Sequence, residues 1–165
     1  MTEFLAGATR VYRIKWWRRI FSVFLGVFGL LFLAAQLIME FDFGDGKHFF
    51  SILIGVVILA VGSYAAAKDF KALITLTPDA IQVRNLSGTQ QLLLSAIRGR
   101  REYVTYSGRS RTRYLRLEPK NNRQPTLDFE RDFNFDQAFF AWFNALPDLD
   151  AIDEAARKTS KFGLV

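Results

Sequence analysis

Apolar and polar positions alternate in three different ways along this chain. From Ile20 to Met39, "IFSVFLGVFGLLFLAAQLIM", there is no charged residue at all. A second uncharged run, "FFSILIGVVILAVGSYAAA", extends from Phe49 to Ala67. A helix rises about 1.5 Å per residue, so roughly 20 residues cross a hydrocarbon core about 30 Å thick. Both runs therefore predict transmembrane helices, 20–39 and 49–67. The stretch between them, residues 40–48, holds Gly44 and Gly46 beside Asp42 and Asp45. Those residue types favour a tight turn and make the two spans an antiparallel hairpin.

After Ala67 the texture changes. Ile81 and Val83 alternate with Gln82 and Arg84, and Leu115 and Leu117 flank Arg116. Period two predicts strands with one buried and one wet face. Strands are expected at 73–77, 81–86, 89–94, 101–107, 112–118 and 125–130, with turns at Pro78-Asp79, Ser87-Gly88 and Gly108. Closely spaced strands of this kind imply an antiparallel meander. The period then lengthens. Phe135, Ala138, Phe139, Trp142, Phe143 and Leu146 recur at three and four, which predicts an amphipathic helix. Asn134 is its expected N-cap, with Gln137 completing a capping box, and Pro147 ends it. Asp148 is expected to cap a further short helix through about Lys158, followed by a frayed tail.

Charge orients the hairpin. The chain has 165 residues and a formal net charge of +6. Arg10, Arg13, Lys15, Arg18 and Arg19 precede the first apolar run, and Lys68 and Lys71 follow the second. The loop between carries Glu40, Asp42 and Asp45 against Lys47. Lys and Arg gather on the cytoplasmic side, so both termini are expected there and the loop outside. Tyr12, Trp16 and Trp17, with Arg18 and Arg19, fit an inner interfacial belt. A cleaved leader fits less well, because the first apolar run is longer than a leader's core and a second follows closely. Neither span holds a charged residue at mid-depth, where a proton or ion path would need one, so the hairpin reads as an anchor. Ser22 with Gly26, and Gly62 with Ala66, are spaced for close helix approach. Ala34 and Ala35 lie at the depth of Ser51 and Gly55.

The segment from Leu73 to about Leu149 resembles a bacterial pleckstrin-homology-like (PH-like) domain. The resemblance rests on "ITLTPDAIQVRN", "LLLSAIRGR" and the C-terminal helix "FDQAFFAWFNAL". It implies an α+β membrane protein: a two-helix transmembrane hairpin, then a PH-like antiparallel β-barrel or sandwich with a C-terminal helix. The implied organisation is a basic cytoplasmic segment at 1–19, spans at 20–39 and 49–67 around the outer loop 40–48, the domain at 72–149 and a tail at 150–165. In such domains a tryptophan of the C-terminal helix plugs the open end of the strands, and Trp142 matches it in position. The resemblance further implies attachment to the bacterial inner membrane and a binding role.

Candidate chemistry is sparse. No cysteine is present, so disulfides and thiolate chemistry are excluded. His48 is the single histidine and lacks partners for a metal site. Asp128, Glu130, Asp132 and Asp136 read as strand exteriors and helix N-terminal charges rather than acid–base groups. The basic residues are the remaining candidates. Arg98, Arg100 and Arg101 lead into one strand, and Arg109, Arg111, Arg113 and Arg116 follow the next turn. They form a solvated surface, a contact for anionic headgroups, or a contact for an acidic partner. Phosphoinositide-binding relatives use a basic first strand–strand loop, and here that loop, Thr77–Ala80, has no basic residue. The expected function is a non-enzymatic membrane-anchored adaptor or accessory subunit with a protein partner. An anionic-lipid-sensing or lipid-organising module stands beside it. Membrane lipids are expected partners; no cofactor, nucleic acid or small-molecule substrate is expected.

Overall fold

A computed structural model describes residues 9–43 and 49–161. The turn expected around Gly44 and Gly46, His48, and the end of the expected C-terminal tail lie outside the described residues. The chain divides into two compact units. One is Ile14–Ala72; the other joins the segment before it to everything from Leu73 onward.

The first unit is a pair of helices, α1 (Trp16–Phe43) and α2 (Phe49–Lys71). Both are long and apolar enough to cross a membrane. They run past the uncharged stretches because helical hydrogen bonding continues into the charged flanks. Large apolar side chains such as Phe21, Phe24, Leu31, Val57 and Val61 are exposed on their outer faces. Glycines set the contact between the helices. A Cβ on Gly62 would lie 2.5 Å from the Gly26 nitrogen, and one on Gly29 would lie 2.6 Å from the Leu59 nitrogen. Backbone therefore meets backbone at two levels, as small residues permit. Gly55 approaches Leu33 rather than Ala34 or Ala35. Near the chain ends of this unit, Arg18 Nε lies 3.3 Å from Asp69 Oδ1, and Asp69 is 3% exposed. The Arg19 guanidinium stands 5.6 Å from the Phe70 ring centre.

The second unit holds two antiparallel sheets and two helices. The first sheet has the order β1 (Arg10–Arg13), β2 (Leu73–Leu76), β3 (Ala80–Asn85), β4 (Gly88–Leu93). The second has the order β5 (Ile97–Ser107), β6 (Ser110–Pro119), β7 (Leu127–Glu130). A single 3₁₀ turn, Leu94–Ala96, carries the chain from one sheet to the other. Among the described residues the two ladders stay separate, so the pattern is two sheets rather than a closed barrel.

Strand β1 corrects the reading of residues 1–19 as a basic segment lying wholly outside the domain. Arg13 pairs with Leu73 and Arg10 with Leu76, so the two apolar helices are inserted between the first two strands of one sheet. Tyr12 is likewise not an interfacial residue. It is 4% exposed and its ring packs on Phe135 and Phe139, at 5.3 and 5.2 Å between centres.

The core gathers the inward residues of both sheets: Ile74, Leu76, Ile81 and Leu92 from the first, Leu115, Leu117 and Leu127 from the second. Helix α3 (Gln137–Asn144) closes it. Phe139 is fully buried, with Phe129 of β7 at 6.2 Å and Trp142 at 5.6 Å, so one ring of α3 touches strands of both sheets. Trp142 is buried beside it. The expected N-cap at Asn134 is displaced. Asp136 caps α3 by accepting from the Phe139 N–H at 2.7 Å, while the Asn134 N–H donates to the Arg13 carbonyl at 2.9 Å. The β1 edge captures the earlier residue, so the helix begins two positions later. Asp148 caps α4 (Leu149–Lys161), accepting from the Asp150 and Ala151 N–H groups.

Candidate interaction surface

Strands β5 and β6 are much longer than β7. Their pairing runs from Ile97↔Pro119 to Ser107↔Ser110, whereas β7 pairs with β6 only from Tyr114 to Leu117. The ribbon beyond Tyr103 and Tyr114 thus overhangs the sheet. The sequence-predicted arginines fall on both parts of this ribbon, and the two parts treat them differently.

On the proximal part the guanidiniums are consumed inside the fold. Arg101 Nε meets Glu118 Oε1 at 2.7 Å, Nη2 meets Asp153 Oδ2 at 2.7 Å, and Nη1 meets Asp150. Asp153, Asp150 and Glu118 together hold this guanidinium more firmly protonated than usual. In return Arg101 keeps the Asp153 carboxyl below the ordinary carboxylate range. Arg101 is therefore the fastener of α4 onto β5. Arg116 grips Asp128 with two nitrogens, at 2.7 and 3.0 Å, in the bidentate geometry that a planar guanidinium favours. It also lies 4.8 Å from the centre of the Tyr103 ring, which stacks on Tyr114. Burial, and then Asp128, raise the Tyr103 hydroxyl above its usual pKa. Arg100 reaches Glu102 and Asp148, both at 3.2 Å, and covers Phe143 at 5.3 Å. Arg98 is the extra residue at the irregularity between Ile97 and Gly99 and is exposed. Gly99 has no room for a side chain, because a Cβ there would lie 2.6 Å from the Pro147 carbonyl oxygen.

On the overhanging part, Arg109, Arg111 and Arg113 are exposed. Among the described residues they have no side-chain hydrogen bond or ion pair. Tyr106 pairs with Arg111 and Val104 with Arg113. Directly opposed residues share a face, as do residues two apart. Val104, Tyr106, Arg111 and Arg113 thus lie on the face that, further down, carries the buried Leu115 and Leu117. Where the sandwich ends, that face turns from leucine to arginine, because an unpaired charge could not be buried. Gly108, at φ 58°, makes the reversal that a residue with a Cβ resists.

A polar cluster that sequence reasoning missed lies where β1 meets α3. Asp136 accepts from the Phe139 N–H, from the Tyr12 hydroxyl at 3.1 Å, and from the Arg10 guanidinium. Burial opposes ionisation of this carboxyl, but those three donors outweigh it and hold its pKa below the usual value. Burial, then the bond to Asp136, pushes Tyr12 up to about 12. The signal available in sequence was Asp136 three residues before Phe139, at capping distance; Asn134 competed with it. Trp16 and Trp17 are exposed, whereas Arg18 and Arg19 are engaged with Asp69 and Phe70 within the helix pair. No group of side chains able to hold a metal ion occurs among the described residues.

No family model matches the chain, and no curated protein or solved structure matches it either.

Proposed function

We propose that the chain is an integral protein of a bacterial inner membrane that presents a cytoplasmic PH-like module to a protein partner, as a non-enzymatic adaptor or accessory subunit. The observation that carries this reading is the strand order: four strands, then three, then a helix whose Trp142 and Phe139 enter the core. That order suits the PH-like resemblance, and the strand Arg10–Arg13 supplies a first strand that the segment from Leu73 lacks. In chain order the helices are an insertion between two strands of the module rather than a terminal tail. Two residues, Ile14 and Lys15, join β1 to α1, and Ala72 alone joins α2 to β2. Basic flanks at those junctions favour the cytoplasmic side. The experiment is purification of tagged full-length chain from native membranes in mild detergent. A reproducible stoichiometric partner supports the adaptor reading; a lone protein under several detergents removes it.

A further inference from the structure

We propose that the overhanging ribbon, Val104–Arg113, docks onto an anionic lipid surface through Arg109, Arg111 and Arg113, with Tyr106 at headgroup level. The inference rests on the membrane-anchored part of the preceding reading and not on the protein partner.

Three observations converge on it. From Tyr103 to Leu117 the chain has no acidic residue, so nothing on the ribbon itself neutralises the guanidiniums. The proximal Arg100, Arg101 and Arg116 show that this fold supplies carboxylates where arginines are structural. The overhanging three receive none among the described residues. Arginine at the exposed tip of a two-stranded ribbon has donors in the geometry that phosphate oxygens accept. Tyr106 is 73% exposed beside Arg111, and a tyrosine with an apolar body and a polar tip suits the bilayer interface.

The covalent layout favours lipid over an acidic protein. Junctions of one and two residues tether the module to the helices that the preceding reading places in the membrane, which raises the effective concentration of lipid for it. A weak contact then suffices. Each arginine near an anionic surface changes the docked-to-free ratio about fivefold, and three together about a hundredfold.

The chain has no cysteine, so Ser107→Cys gives a single thiol at the ribbon end for an environment-sensitive fluorophore. The labelled full-length protein is reconstituted in nanodiscs of phosphatidylcholine alone, and of phosphatidylcholine and phosphatidylglycerol in roughly equal parts. Docking predicts a blue shift and shielding from an aqueous quencher in the anionic discs only. High salt reverses both, and so does the triple variant Arg109→Gln, Arg111→Gln, Arg113→Gln. A fluorophore equally shielded, or equally open, in the two lipids overturns the proposal while leaving the anchor intact. Shielding that requires added cytoplasmic extract instead of anionic lipid overturns it in favour of an acidic protein. Failure of the chain to resist carbonate extraction from membranes removes the anchor, and the proposal with it.

Discussion

Removing the Asp136 carboxylate tests how β1 is held to α3. Asp136→Ala deletes the helix N-cap, which contributes about 1 kcal/mol. It also leaves the part-buried Tyr12 hydroxyl without its acceptor, a loss of about 1 kcal/mol. The exposed pair with Arg10 is screened by solvent and adds little. Because the carboxylate is itself nearly half exposed, the two larger losses set the scale, and the expected cost is about 2 kcal/mol. The assay is urea unfolding of full-length protein in mild detergent, with Trp16→Phe and Trp17→Phe in the background so that Trp142 alone reports. Asp136→Asn keeps an acceptor for the Phe139 N–H and should lose less than half as much. The pH dependence has a definite sign. A carboxyl with a depressed folded pKa stabilises above its unfolded value and ceases to do so as pH falls through the folded value. The gap between parent and Asp136→Ala should therefore be full at neutral pH and shrink below about pH 4. A gap under about 0.5 kcal/mol at neutral pH, or an Asn variant as damaged as the Ala variant, refutes the assignment of Asp136 as a cap.

Other consequences are as direct. Trp142→Ala should cost about 3–5 kcal/mol in the same urea experiment, read by circular dichroism, because its ring is buried against Phe139. Gly62→Val should force α1 and α2 apart and lower the thermal midpoint of the helix pair in micelles, since even one methyl would fall 2.5 Å from the Gly26 nitrogen. An unchanged midpoint would mean the helices do not pack through these glycines. Arg101→Gln should raise amide hydrogen exchange across Leu149–Lys161 and leave β2–β3 unchanged; equal exchange in both regions would show that α4 is held by something else.

The legible parts of the fold were those whose cause is local. Uncharged runs as long as Ile20–Met39 admit few structures, and the turns at Asp79, Gly88 and Gly108 punctuate strands that alternate cleanly. Strand β1 was illegible for the opposite reason. "RVYR" is four residues long, sits in a basic stretch before an apolar helix, and takes its identity from β2 on the far side of both helices. Tyr12 was misread with it, because an aromatic beside arginines near a span also describes an interfacial belt. The arginines were legible as a cluster but not as two classes. Arg101 and Arg113 look alike in sequence, and only the reach of Asp150 and Asp153 from α4 makes the first structural.

The insertion of the helices between β1 and β2 also fixes an order of manufacture. β1 leaves the ribosome first, yet its partner follows only after roughly 60 further residues, several seconds at ordinary rates of synthesis. During that interval Tyr12 has no core to enter. Closing so long a flexible loop costs about 2 kcal/mol more than closing a four-residue turn. Once α1 and α2 pair, the glycine contacts bring their chain ends together and the effective loop collapses to the few junction residues. The expected order is pairing of α1 with α2 first and of β1 with β2 afterwards. A fragment that begins at Lys71 omits both the helix pair and the strand that precedes it.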